Sequence, residues 1–333
     1  MNDYESSSWD NNGNYKSINW NAIEDQVDIM TWQKLVSQFW VDTRIPVSND
    51  LDDWRTMSPL EKDVLNKAFA GLTLLDTLQS QDGIHQLRNY VRTQHEDAVL
   101  NNISFMESVH AKSYSTIFTT LNNNDTITDI FKFADTNELL QNKALIIYDA
   151  YQTGEKLKAR AASVLLESFL FYSGFYAPLY FLGNNKMSSV AEIIKLIIKD
   201  ESVHGTYIGY KFQLSFNELD DEEKDEIKDW VYTLLFKLYE NEVEYTEYLY
   251  GEIGWTKEVN IFLRYNANKA LSNLGLDPLF PDTADDVNPL IINGLSGSAA
   301  NHDFFSKVGN SYFVGDVEAM RESDYDFNSI KRQ

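Results

Sequence analysis

The sequence predicts an all-α protein with a four-helix bundle at its centre, on three observations. Apolar residues recur at spacings of three and four, as in Leu65, Phe69, Leu72 and Leu75, or Ile193, Leu196 and Ile197. Only six prolines punctuate the chain, at 46, 59, 178, 278, 281 and 289, leaving two long stretches almost free of helix breakers. No run alternates convincingly between apolar and polar residues, as a half-buried strand would.

Taken in chain order, residues 1–20 are polar and read as a flexible lead without the basic start and apolar core of a signal peptide. Helices are expected near 31–41, 59–88, 97–121, 137–153, 157–182, 189–215, 218–250 and 256–273. The second opens with Ser58-Pro59-Leu60-Glu61, which combines an N-cap, a first-turn proline and a glutamate that can close a capping box. Ser189-Val190-Ala191-Glu192 reads as another capping box. The stretch FLFYSGFYAPLYFL at 169–182 is too short for a membrane span, contains Pro178 and Gly174, and is expected to be a buried helix. The pattern weakens from about 281, through PDTADD and GLSGSAAN. The expected division is a helical domain over 21–295 and a tail over 296–333.

Composition narrows the function classes. With 333 residues and 43% hydrophobic content the chain can bury a large core. A net charge of −23 repels phosphate backbones and anionic membranes, so neither nucleic acid nor a membrane is an expected partner. The chain has no cysteine, which excludes disulfides, thiolate metal sites and cysteine nucleophiles. That absence also fits a cytoplasmic location.

Chemistry enters through a repeated motif. Glu-x-x-His occurs as Glu107/His110 and as Glu201/His204, each inside an apolar helical run. Single carboxylates, Asp76 in AGLTLLDTLQ and Glu167 in SVLLESFLFY, stand where core residues belong. Asp76 precedes Glu107 by 31 residues, and Glu167 precedes Glu201 by 34. At about 1.5 Å per residue, each interval is half a long helix, a turn and half a return helix. Each lone carboxylate therefore comes level with its Glu-x-x-His pair. Two such hairpins make the ferritin-like arrangement, a four-helix bundle with additional helices around a dimetal-carboxylate site. Four carboxylates bring roughly −4 and two divalent cations roughly +4, so the buried cluster can be near neutral. Oxygen and imidazole donors without sulfur favour iron or manganese over structural zinc.

An isolated Glu-x-x-His is most often a surface pair; two of them, in this order with two interior carboxylates, point to metal. His85, His95 and His302 lack this context and read as structural or surface residues. Tyr114 lies one turn beyond His110 on the same face. Phe171, Phe175 and Ile197 are expected around the same cavity. An apolar, water-poor pocket beside a redox-active metal pair suits the formation and survival of a tyrosyl radical.

The segments GLTLLDT, FMESVHAKSYSTIF, LLESFLFYSGFYAPLY, DESVHGTYIGYK, NANKALSNLG and NHDFFS carry a family resemblance over about residues 18–320. The chain resembles the small, radical-generating subunit of class I ribonucleotide reductase, most closely the class Ib form. The resemblance implies metal ligands at Asp76, Glu107, His110, Glu167, Glu201 and His204, and a radical at Tyr114. It implies two manganese or two iron ions per chain. It further implies a radical-transfer route through Trp40, Asp200 and Tyr312. Its implied partners are a second copy of the chain, a large catalytic subunit, and a flavodoxin-like activator that supplies a reduced-oxygen oxidant when manganese is loaded. The ending MRESDYDFNSIKRQ departs from the family's short acidic-aromatic terminus by running into a basic segment. In this family the sugar is reduced with thiols, so a chain without cysteine must lend its oxidising equivalent to a partner. The competing expectations are a stand-alone ferritin-like dimetal oxidase or hydroxylase, which would need an open channel and no Tyr114, and metal storage, which would need many metals per chain.

Overall fold

The computed structural model describes residues 12–281 and 284–296, and every element of more than one residue in them is helical. The α-helices are α1 Gln26–Ser37, α2 Leu51–Thr56, α3 Pro59–Leu78, α4 Ile84–Arg88, α5 Gln94–Leu121, α6 Asn124–Thr136, α7 Glu138–Tyr151, α8 Lys156–Leu165, α9 Tyr172–Gly183, α10 Ser188–Asn217, α11 Asp221–Tyr250, α12 Thr256–Asn273 and α13 Pro289–Ser296. The expected helices over 59–88 and 157–182 are present, but each contains a π-helical turn. Gln79–Gly83 joins α3 to α4, and Leu166–Leu170 leads from α8 towards α9. Such a turn adds a residue to the helix and rotates everything beyond it, a device common at functional sites.

The centre of the molecule is two helical hairpins. α3 packs on α5, α8 packs on α10, and α5 meets α10 across the middle. α7, α9, α11 and α12 cover this bundle, and α13 lies on α9. The segment 169–179 is buried throughout, because α9 is wrapped by other helices, which accounts for its apolar character without a membrane. No helix among the described residues is long and apolar enough to cross a membrane.

Local signals set several boundaries. Ser58 accepts from the Glu61 backbone N–H, and Glu61 reaches back to the Ser58 N–H, completing the expected capping box. The second expected capping box does not form. α10 starts one residue early, after Met187 in a left-handed conformation, and Ser189 is already helical. The cap comes from elsewhere in the chain. The buried carboxylate of Asp50 accepts from the backbone N–H groups of Ser189 at 3.1 Å and Val190 at 2.7 Å, and Asp53 accepts from Met187 N–H at 2.9 Å. A negative group at a helix N-terminus satisfies orphan donors and opposes the helix dipole.

Three helices were not expected. α6 is rich in Asn, Asp and Thr, which favour turns in isolation; here Asn123 caps it and Ile130 and Ala134 bury one face. α2 and α13 are short and held by packing, with Trp54 and Ile291 buried. α13 also shows that the irregularity expected from 281 onward does not extend over 289–296. Trp40 lies just beyond the C-terminus of α1, not within the helix expected over 31–41.

Asp50→Ala should destabilise the protein by about 1–3 kcal/mol, since it strands two buried N–H groups that had a charged acceptor. Asp50→Asn, which keeps one acceptor oxygen, should recover part of the loss. The midpoints of chemical denaturation measure both.

Candidate metal centre

The apolar spacing that makes α3, α5 and α10 helical also turns Asp76, Glu107, His110, Glu201 and His204 inward. Glu167 enters from the π-turn Leu166–Leu170. All six side chains are completely buried. They form two overlapping sets: Asp76, Glu107, His110 and Glu201 in one, Glu107, Glu167, Glu201 and His204 in the other. Within each set the ligand atoms lie within 4.8 Å of one another. Glu107 and Glu201 belong to both, so each could hold either of two cations.

The contacts are close. His204 Nδ1 is 2.8 Å from Glu107 Oε1 and 3.3 Å from Glu201 Oε2. His110 Nδ1 is 3.1 Å from Glu201 Oε1. The two imidazole rings stack at 6.0 Å between centroids. Both oxygens of Asp76, Glu107 and Glu201, Oε2 of Glu167 and Nδ1 of both histidines have no well-formed hydrogen bond, although all are buried. So many unpartnered polar atoms gathered at one buried place point to something else that binds them.

Three other buried carboxylates carry their own counter-charge. Asp28 meets Lys211 at 2.6 Å, Glu96 meets Arg160 at 2.5 Å, and Glu242 is paired with Lys143. The four carboxylates of the cluster face two imidazoles instead. Two like charges 4 Å apart repel by roughly 4 kcal/mol at an effective dielectric of 20, so four ionised carboxylates cannot share this space unaided. Without cations, protons must compensate. Burial, then the neighbouring Glu107 carboxylate, pushes Asp76 well above the usual carboxylate range. Burial with Glu107 and Glu167 does the same to Glu201. Burial also works against Glu107, but its close contacts with the His110 and His204 imidazoles outweigh it and bring its carboxyl down to about 2. Burial would lower both histidines, yet Asp200 and Glu107 raise His110, and Glu107 and Glu167 raise His204, well above the usual imidazole value. Oxygen and nitrogen donors that are mutually repelling, orphaned and shared fit a pair of divalent cations.

Tyr114 is fully buried, its ring stacked on Phe69 at 5.6 Å and its hydroxyl without a hydrogen-bond partner. Burial, followed by the charges of Asp76, Glu201 and Glu107, holds the phenol well above its usual range. Phe171, Phe175 and Ile197 are fully buried, the two phenylalanines 6.2 Å apart. Trp40 and Asp200 come together beside the cluster. Asp200 Oδ2 accepts from Trp40 Nε1 at 2.7 Å and lies 3.1 Å from His110 Nε2, and the Trp40 and His110 rings stack at 5.8 Å. Tyr312 and the tail from 297 lie outside the described residues. His95 is held by the Asn19 carbonyl at 3.0 Å and by the edge of Trp20, and His85 is exposed, away from the cluster.

Sequence reasoning passed over Gln79. Its amide donates to Glu167 Oε1 at 2.5 Å and to Ser163 Oγ at 2.8 Å, while Tyr151 OH donates to its oxygen at 2.6 Å. A signal existed: Gln79 is a polar residue one turn beyond Asp76 in the same apolar run. Gly205 permits a second close approach, since a Cβ there would stand 2.3 Å from Ser168 Oγ in the π-turn.

Residues 17–289 match the family described as ribonucleotide reductase, small chain. The chain is 51% identical over 312 residues to the ribonucleoside-diphosphate reductase subunit beta nrdF2 of Mycobacterium tuberculosis, covering 93% of this chain and 96% of that protein. It is 44% identical over 326 residues to the ribonucleoside-diphosphate reductase subunit beta of Bacillus subtilis, covering 96% and 98%. The crystal structure of dimanganese(II)-NrdF from Streptococcus sanguinis superposes with a TM-score of 0.84 and 66% identity, covering 85% of this chain and all of that one. The fold, the buried carboxylate–histidine cluster and these relatives agree: the chain belongs to the ribonucleotide reductase small-chain family, as the beta subunit that works with a separate alpha catalytic subunit.

Proposed function

We propose that Asp76, Glu107, His110, Glu167, Glu201 and His204 hold two manganese or two iron ions, and that the centre serves to oxidise Tyr114 to a stable radical. The observation that carries this reading is the pair of overlapping ligand sets sharing Glu107 and Glu201, with Tyr114 buried one turn from His110. The dimanganese content of the S. sanguinis relative supports manganese; the donor set accepts either metal. Once bound and oxidised by a reduced-oxygen species or dioxygen, the metals would supply the one-electron oxidising power. The protein's own groups determine what is oxidised. The raised phenol of Tyr114 keeps its proton, so its oxidation removes an electron and a proton together. Its buried position, stacked on Phe69, shields the product from water.

The radical must then leave the interior. Trp40, Asp200 and His110 form a continuous polar chain from the edge of the bundle to the cluster. We assign electron transfer to this chain and, beyond it, to Tyr312, with residues 296–333 docking on the alpha subunit. The chain is proposed to act in the cytoplasm as a homodimer, activated when manganese-loaded by a flavodoxin-like protein. The exposed apolar face formed by Val36 and the stacked pair Phe39 and Phe105 supports self-association.

Elemental analysis of loaded protein should give two metals per chain. Glu201→Ala, which removes a residue common to both sets, should lower occupancy of both positions, whereas Asp76→Ala should spare one. Electron paramagnetic resonance should show a tyrosyl signal that Tyr114→Phe abolishes while two metals remain bound; an unchanged signal would place the radical on another residue. Tyr312→Phe should keep the Tyr114 signal and lose nucleotide reduction in the presence of the alpha subunit, and normal reduction would remove Tyr312 from the route.

A further inference from the structure

We infer that Gln38 is a positioning residue for radical transfer, fixing the Asp200 carboxylate so that one oxygen is reserved for Trp40 and His110; this rests on the transfer role proposed for Trp40 and Asp200. Gln38 is the buried C-cap residue that follows Ser37 at the end of α1. Its Nε2 donates to Asp200 Oδ1 at 2.5 Å. The nitrogen must be the atom facing Asp200, since the amide oxygen there would oppose a carboxylate oxygen. Asp200 is thereby divided: Oδ1 is taken by Gln38, and Oδ2 meets both Trp40 Nε1 and His110 Nε2. Without the amide, Oδ1 is a buried acceptor lacking a partner. Rotation of the carboxylate would then bring Oδ1 into competition for the same two donors.

Two further observations favour positioning over simple packing. The Gln38 oxygen is itself buried without a partner, so the side-chain hydrogen bonding of this amide goes to Asp200 alone. Gln38 and Trp40 also leave α1 together, and α1 is anchored at its other end where Asp28 meets Lys211 and Tyr207. Both donors to Asp200 thus follow directly from the end of one anchored helix.

The test uses the full-length protein and the variants Gln38→Leu and Gln38→Met. Seven tryptophans give seven indole N–H resonances in metal-free protein labelled with ¹⁵N-tryptophan, and Trp40→Phe identifies one of them. The expected result is a displaced Trp40 resonance, native helical content, an unchanged yield of the Tyr114 radical after loading, and nucleotide reduction slowed on the order of ten- to a hundredfold. An unmoved Trp40 resonance overturns the inference, as does loss of helical content in both variants, which would make Gln38 a structural residue. A displaced resonance with normal reduction also overturns it. Trp40→Phe, assayed in parallel, then separates the two failures: if it too reduces nucleotide normally, the proposed route is wrong, and if it does not, only the role of Gln38 is.

Discussion

Mutual repulsion among four carboxylates in a dry interior is the constraint on which the rest of this structure depends. A bundle core of Leu, Ile and Phe excludes water, and with it the dielectric that would let neighbouring carboxylates stay ionised. Where the chain buries Asp28, Glu96 and Glu242 it supplies Lys211, Arg160 and Lys143 as counter-ions. At the centre it supplies histidines, which can carry a proton or surrender it for a metal. The same atoms therefore form a costly proton-sharing cluster without metal and, under the proposed function, a near-neutral cage with it. On that reading, metal binding and folding energetics are linked through these six residues.

The surrounding scaffold holds that cluster in register. Glu167 sits in a π-turn and so approaches from a different angle than the ligands on regular helix. Gln79, at the start of the π-turn Gln79–Gly83, holds one Glu167 oxygen while Tyr151 orients the amide. Gly205 lets α10 come close enough to the π-turn Leu166–Leu170 for His204 to meet Glu167 at 3.5 Å. The trans cap from Asp50 fixes the start of α10, the helix that carries Asp200, Glu201 and His204. These are outer contacts of the kind that orient ligands and tune a metal site.

Much of this was legible in the sequence because the unfavourable residues are the informative ones. A carboxylate in AGLTLLDTLQ or SVLLESFLFY contradicts its neighbours, and a chain keeps such a contradiction only where it is resolved in three dimensions. The bundle followed from the same helical spacing. What escaped depended on contacts distant in sequence. α6 carries poor local propensity and is helical because Ile130 and Ala134 are covered. The Ser189 cap was misassigned because its neighbours spell a local motif, whereas Asp50, more than a hundred residues away, makes the bonds. Gln79 and Gln38 are fainter in the sequence because a neutral amide contradicts an apolar run less than a charge does, and their partners are distant in sequence.

The arrangement also explains why one chain does not complete the chemistry. Under the proposed function, Tyr114 needs burial to keep its oxidised form from water, and burial separates it from any substrate in solution. A chain without cysteine has no thiol with which to act on a sugar, even if the sugar could enter. Under the proposed function the oxidising equivalent must travel while the groups that made it stay still. That requirement favours a short sequence of rigidly held, hydrogen-bonded side chains over a moving arm inside the bundle. Trp40, Asp200 and His110 are held in this way: all are buried, with stacked rings at one end and a shared carboxylate between them. Rigidity within the bundle is thus the condition for transport, and any large motion belongs where the chain meets its partner.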